Sequence, residues 1–184
     1  MNNRLPQRAD LGRNVDSSVE WYLNHYEKHL ELLEAGKALD SSVSDQYVCG
    51  YPVPPFQRPL CWSNEQQVAF IESVWMELPI GSLTIHAVDW DEELNDELKC
   101  DVLPMSAWVI DGLQRLFTLQ NFFDSKLKIN GLYWSDLTRA EKRRFEQVKF
   151  THNRVSLWDE SIVKDLYNRM NFGGTNHTLD QVAV

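Results

Sequence analysis

The residues with the clearest chemical potential are 110–115, where a buried apolar run ends at an aspartate and a helical pattern starts after a glycine. The first amides of a helix have no partner inside the helix, and the helix dipole places partial positive charge beside them. Gly112 has no side chain, so an anion can approach the backbone closely. Arg115 lies one turn further and can bind phosphate oxygens in a bidentate manner. The pattern therefore predicts a phosphate site.

Asp111 would lie beside that phosphate. There it can hold Mg²⁺ or another divalent cation through water, or orient a nucleophilic water. The same residue types also have ordinary structural uses, because aspartate caps helices and glycine makes turns. These six residues alone leave a phosphate site and a plain strand-to-helix turn both open.

A second candidate is the pair Gln57 and Arg58, which follows the proline-rich segment 52–55. Prolines exclude a helix and keep the backbone extended, so the arginine is presented from a stiff loop. The alternative is an arginine stacked on the ring of Phe56 or Trp62.

A third candidate lies at 168–175, where a helical pattern ends in two glycines. Gly173 and Gly174 can form a backbone nest for an anion, with Arg169 and Asn171 as further donors. Paired glycines at this place are also a common way to end a helix.

Hydrophobic periodicity, capping signals and turn residues then predict the elements that carry these candidates. The predicted helices span about 16–35, 63–78, 113–124, 138–147 and 159–170, and the predicted strands span about 47–51, 82–88, 106–110 and 148–157. Strands and helices interleave without a regular βαβ order, which indicates an α+β fold. Residues 1–14 are polar and predict a flexible arm, followed by a single domain over 15–184.

Composition narrows the class of protein. The chain has 184 residues, of which 43% are hydrophobic, and its formal net charge is −9. The acidic balance disfavours coating of nucleic acid through bulk positive charge but allows a local basic pocket. No apolar run is long enough for a membrane span, and three cysteines without metal spacing suggest a reducing cytoplasm. Residues 89–101 hold seven acids and one lysine, which suits a solvated loop, a metal site or a patch that mimics DNA.

The order of the three candidate segments, together with residues 79–82, adds a further indication. Four segments are involved, and they are 55–66 (with Pro-Phe-Gln-Arg at its start), 79–82 (Pro-Ile-Gly-Ser), 110–116 (Ile-Asp-Gly-Leu-Gln-Arg-Leu) and 169–175 (Arg-Met-Asn-Phe-Gly-Gly-Thr). In this order they resemble the GmrSD-type restriction-endonuclease N-terminal domain family, over about residues 46–180. The resemblance implies a ParB/sulfiredoxin-like fold, a compact mixed sheet with surrounding helices.

The resemblance also implies binding and hydrolysis of a nucleoside triphosphate at an Asp-Gly-x-Gln-Arg turn, coupled in relatives to cleavage of modified phage DNA. Carried over by position, the implied catalytic residues are Asp111, Gln114 and Arg115, with Asp111 also the residue for a divalent cation. The implied nucleotide- and phosphate-binding residues are Gly112, Gln57, Arg58, Asn171, Gly173 and Gly174, to which the nest adds Arg169. The implied partners are a nucleoside triphosphate, DNA, and a host or nuclease protein.

Two departures from the family pattern stand out. Leu113 replaces the first glutamine of the signature, so its side chain either faces the core or forfeits a contact to base or ribose. Relatives also continue into a helical region and often an HNH-type nuclease domain, so this chain is expected to lack the usual cutting module. A non-catalytic binding protein that occupies a host complex, with 89–101 as its patch, is therefore the alternative to a nucleotide hydrolase.

Overall fold

A computed structural model describes residues 9, 11–36, 44–87 and 105–172. Gly173, Gly174 and the acidic segment 89–101 lie outside the described residues, as do residues 1–8 and 10 of the expected arm. The described part confirms the α+β prediction. It contains five α-helices, one short 3-10 helix, a four-stranded mixed sheet and a two-stranded sheet. Within the described residues, no helix is both long and apolar enough to cross a bilayer.

The elements follow one another closely along the chain. The helices are α1 (Val19–Glu34), α2 (Asn64–Trp75), α3 (Leu113–Phe123), α4 (Arg139–Glu146) and α5 (Glu160–Phe172), and Trp134–Asp136 is the 3-10 helix. The strands are β1 (Arg13–Val15), β2 (Tyr47–Val48), β3 (Tyr51–Pro52), β4 (Leu83–His86), β5 (Val109–Asp111) and β6 (His152–Val155).

The larger sheet has the strand order β1-β6-β4-β5. β4 runs parallel to β6 and antiparallel to β5, and β1 runs antiparallel to β6. The expected arm over 1–14 therefore does not extend to residue 14, since Arg13 and Asn14 pair with Arg154 and Asn153 in the sheet. A three-residue polar strand at a sheet edge carries too little hydrophobic pattern to be recognised in the sequence.

The predicted strand 47–51 is a tight hairpin of β2 and β3 instead of one strand. Cys49 and Gly50 have φ angles of +50° and +79°, and two consecutive residues in the left-handed region turn the chain back on itself. The predicted strand 148–157 is shorter than expected, because only 152–155 pair in the sheet.

Two helix starts behave as the sequence predicts. Ser63 and Gln66 form a capping box at α2, and Thr138 and Glu141 form one at α4. At α1 the N-cap residue is Ser18, and its side chain makes no capping hydrogen bond. The hydroxyl of the preceding residue, Ser17, donates to the Phe150 carbonyl at 2.7 Å.

That hydroxyl belongs to a buried polar cluster that ties α1 to β6. The Tyr22 hydroxyl also donates to the Phe150 carbonyl, at 3.0 Å, and lies 3.0 Å from His152 Nδ1. Burial lowers the pKa of His152 to about 4, so this ring is neutral at neutral pH. The cluster fixes the strand that runs next to β4, and β4 in turn pairs with β5.

The large sheet is covered on both faces. Val109 and Ile110 are consecutive in β5 and point to opposite sides, as residues of a strand do. Val109 belongs to the larger core with α1, α2 and α3, whereas Ile110 packs with Leu166 and Tyr167 of α5. β5 is thus held between two layers of helices, and its last residue, Asp111, lies at the point where the chain enters α3.

Candidate functional site

The candidate site is built on the junction between β5 and α3. Gly112 is the N-cap of α3, with φ of +99°, and no side chain caps the first turn of this helix. A Cβ atom at this position would overlap Leu83 Cδ2, so both the backbone conformation and the packing require glycine here. The unsatisfied amides of the first turn remain available to a ligand.

The Arg115 guanidinium folds back over this junction. Its Nη2 donates to Asp111 Oδ2 at 2.8 Å, and its Nη1 donates to the Ile80 carbonyl at 3.1 Å. The Arg115 and Asp111 side chains are 17% and 26% exposed, so the ion pair is shielded but still reaches the surface. Arg115 is therefore held in place above the start of α3.

Two glycines leave the space that the guanidinium occupies. A Cβ atom on Gly81 would lie 2.8 Å from Arg115 Nη1, and one on Gly112 would lie 3.3 Å from Nη2. The sequence pattern included Gly81 in the segment 79–82 but assigned no role to it or to Ile80. Gly81 leaves room for the Arg115 side chain, and the Ile80 carbonyl holds it. The glycine in the segment 79–82 was the sequence signal for this role.

Gln114 was expected to be catalytic, and in the structure its side chain bonds to the loop before α2. It is 5% exposed, and its Oε1 accepts from the backbone amides of Cys61 and Trp62 at 3.0 and 3.2 Å. Its Nε2 donates to the Pro59 carbonyl at 3.1 Å. Both ends of the amide are engaged, so Gln114 clamps the loop before α2 and positions it against α3.

Gln57 also positions a loop. Its Nε2 donates to the carbonyls of Val109 and Ile110 at 2.7 and 3.0 Å, which ties the proline-rich segment to the end of β5. The next residue, Arg58, is fixed through its backbone amide, which donates to the Tyr167 hydroxyl at 3.1 Å.

The Arg58 side chain is exposed, and its guanidinium has no hydrogen-bond, ion-pair or ring partner within the described residues. The alternative of stacking on Phe56 or Trp62 is not realised. Lys164 lies over the Phe56 ring instead, and Trp62 packs against Phe70. A fixed backbone with an unpartnered guanidinium suits the capture of an anion.

Two residues of the third candidate segment, Arg169 and Asn171, lie in different places. Arg169 Nε pairs with Asp165 Oδ2 at 2.8 Å, and the Arg169 side chain is 69% exposed on the outer surface of α5. Arg169 is not among the residues that line the candidate site, and its expected role as a phosphate ligand stays a prediction. Asn171 does line the site, while its Nδ2 donates to the Tyr167 carbonyl of the preceding helical turn.

These segments enclose a small cavity of about 230 Å³. Its lining residues are Gln57, Arg58, Trp62, Asp111, Gly112, Leu113, Gln114, Arg115 and Asn171. Residues from three distant parts of the sequence thus meet at the start of α3. Leu113, the departure from the family signature, is 6% exposed and belongs to the larger core.

Few side chains at this site could bind a cation. Asp111 is the one carboxylate among the lining residues, and no group of three metal-ligating side chains occurs in the described part of the chain. One carboxylate does not hold a resident metal ion by itself, but it suits Mg²⁺ that arrives on nucleotide phosphates and keeps several waters.

The contacts of Gln114 predict that its loss lowers the stability of the protein. In the Gln114→Ala variant two backbone amides and one carbonyl, all in part-buried contacts, lose their partner, and a buried side chain is removed. We therefore expect a loss of about 2 kcal/mol in the free energy of unfolding. Urea denaturation followed by tryptophan fluorescence measures this loss. Gln147→Ala, at an exposed site, is the matched control and should change stability little. Equal stability of both variants would show that Gln114 does not clamp the loop.

Comparison with known proteins bears on the whole of this arrangement. No curated protein and no solved structure matches the chain. The family described as the GmrSD restriction endonuclease, N-terminal domain, matches residues 37–180. That range contains every residue of the cavity and every strand except β1. The chain therefore belongs to the family of GmrSD restriction endonuclease N-terminal domains.

Proposed function

We propose that this chain binds a nucleoside triphosphate, with the phosphates in the cavity at the start of α3, and hydrolyses it. The observation that supports this most is the convergence of an uncapped helix N-terminus with two guanidinium groups, those of Arg58 and Arg115, around one cavity. The family, named for a restriction endonuclease, agrees with a phosphate ester as the ligand.

Arg115 retains the capacity to bind phosphate while it is paired. A guanidinium has five N–H donors, and the contacts to Asp111 and to the Ile80 carbonyl account for two of them. The other three donors have no hydrogen-bond partner within the described residues, and the two existing contacts hold the planar group in one orientation. Binding then costs less conformational entropy than it would for a free arginine.

Arg58 would complete the site from the opposite side. Its backbone is fixed by Tyr167, and its charged group is unpartnered within the described residues. Two guanidinium groups at one cavity would balance much of the charge of a triphosphate.

Asp111 is the group we assign to hydrolysis. Arg115 holds its Oδ2, which leaves Oδ1 to orient a water molecule or to contact the hydration shell of Mg²⁺. Mg²⁺ bound to the phosphates would stabilise the charge that develops on them during transfer. Since the carboxylate lies next to the helix amides, the water and the phosphate would be neighbours.

We expect Arg58→Ala to weaken nucleotide binding by about tenfold or more, because each charge-assisted contact to phosphate contributes roughly 1.5–3 kcal/mol. Stability should not change, since the side chain has no partner in the described structure. Isothermal titration with each nucleoside triphosphate and Mg²⁺ measures the affinity. Arg169→Ala removes the same charge outside the cavity and should leave affinity unchanged. Equal losses for both variants would contradict a phosphate site at Arg58.

Asp111→Asn tests the proposed chemistry separately from binding. The amide keeps the shape and an acceptor for Arg115 but is a poor base and a poor cation ligand, so phosphate release should fall about a hundredfold. Nucleotide affinity should change much less. A parallel fall in affinity and turnover would instead make Asp111 a positioning group for Arg115. Binding without any phosphate release by the unaltered protein would favour the non-catalytic binding module.

DNA is the second partner that we propose, and its contact surface is distinct from the cavity. Residues 126–149 carry seven Lys and Arg against three Asp and Glu, so this stretch is net +4 while the rest of the chain is net −13. Arg139, Arg143 and Arg144 of α4 are exposed, and none has an ion-pair or hydrogen-bond partner through its side chain within the described residues.

Two acids limit where this contact can lie. Glu20 of α1 and Glu146 of α4 line the same groove as Arg139 and Arg143, and they would repel a phosphate placed deep in it. Contacts to the DNA backbone therefore fall on the outer, exposed part of α4. Such contacts position a duplex without reading its sequence.

Replacing Arg139, Arg143 and Arg144 together by Gln should weaken duplex binding and reduce the salt dependence. With about one counterion released per phosphate contact, the slope of log K against log salt should fall by about three. Gel shifts at several salt concentrations measure both effects. The control replaces Arg154, Lys164 and Arg169 by Gln, which removes the same charge from other elements. An equal effect of the two triple variants would show that only total charge matters.

A further inference from the structure

A second, larger cavity of about 960 Å³ adjoins the phosphate cavity. Gln57, Arg58 and Leu113 line both, so the two spaces meet along one wall. The lining of the larger cavity also includes the proline-rich segment and Trp158, which lies between β6 and α5 in the sequence.

Size shows why the smaller cavity is incomplete for a nucleotide. Pockets for small ligands and cofactors usually measure roughly 300–1,000 Å³. The 230 Å³ beside α3 falls below that range, while the adjoining 960 Å³ lies near its upper end. Since Arg58 lines both cavities, a ligand with its phosphates on the helix amides can extend past Arg58 into the larger cavity.

Apolar and aromatic side chains form part of the lining of the larger cavity. Pro54 and Pro55 have no backbone N–H, Trp108 is buried at 6% exposure, and Leu60 is 45% exposed along the wall. These residues offer flat and apolar contacts to a ligand, while Asp45, Gln46 and Glu160 of the same lining carry hydrogen-bonding groups. A purine or pyrimidine ring is bound well by surfaces of this kind, because stacking on aromatic side chains depends little on the identity of the base.

Trp158 is the half-buried aromatic ring of this wall, and it is held in position. The His86 ring lies 4.5 Å from it, edge to face, and His86 Nε2 lies 2.9 Å from the carbonyl of Leu157. His86 is itself 1% exposed in β4. A contact from the central strand therefore fixes the indole, so it costs little entropy for a ligand to pack against it.

We infer that the larger cavity is the nucleoside subsite, in which the base packs against Trp158 and the Pro54–Leu60 wall while the phosphates lie at the start of α3. This inference rests on the proposed nucleotide binding. It makes the ligand a nucleotide as distinct from an inorganic polyphosphate, and it assigns Trp158 and Leu60 as residues that set affinity for the base.

The experiment compares inorganic tripolyphosphate with the four ribonucleoside triphosphates, each with Mg²⁺, by isothermal titration. The proteins are the unaltered chain, Trp158→Ala and Leu60→Ser. Leu60 is exposed, so its replacement keeps the protein folded even if loss of Trp158 does not. We expect at least one nucleotide to bind about tenfold or more tightly than tripolyphosphate. Both variants should reduce that advantage and leave the affinity for tripolyphosphate unchanged.

Three results would overturn the inference, and they separate it from the proposed function. If tripolyphosphate and all nucleotides bind equally, the phosphate site stands and the nucleoside subsite falls. If nucleotides bind more tightly but neither variant reduces the difference, the base lies elsewhere. If neither kind of ligand binds the unaltered chain, the proposed phosphate site itself is wrong.

Discussion

The arrangement of the site depends on one side chain, Arg115, which reaches from the first turn of α3 to the Ile80 carbonyl and the Asp111 carboxylate. These contacts join the turn before β4 to the end of β5. They are possible because residues 81 and 112 are both glycines, so the backbone leaves room for a planar cation. Without these contacts the Arg115 guanidinium would be half-buried and unpaired, which costs considerable free energy.

Two glutamines of the site also join segments that are distant in the sequence. Gln114 holds the loop before α2, and Gln57 holds the proline-rich segment against β5. Each uses its side-chain amide to bond backbone groups of a segment far away in the sequence. The result is that Arg58 is presented on a firm backbone, although it lies in a loop. Side chains that would be read as reactive from their type thus serve to build the walls around the arginines and the aspartate.

Much of this fold was open to prediction from local patterns. The α+β class, both capping boxes and the strand-to-helix junction at Asp111 follow from periodicity and capping signals, which depend on neighbours in the sequence. β1 and the hairpin at Cys49 were not predicted. A short polar edge strand pairs only because β6 offers a partner, and positive φ at a cysteine shows no sign in the residue type.

For the site, the sequence by itself determined which residues were candidates, since these follow from residue types and order, but it left open whether Asp111 caps α3. Only the tertiary structure decided their roles. It brought Arg58 to the cavity, directed Arg169 to Asp165 on the outer face of α5, and engaged Gln114 in the loop before α2. The physical reason is that a side chain bonds to whatever groups packing places within about 3 Å, and those groups come from segments far apart in the sequence.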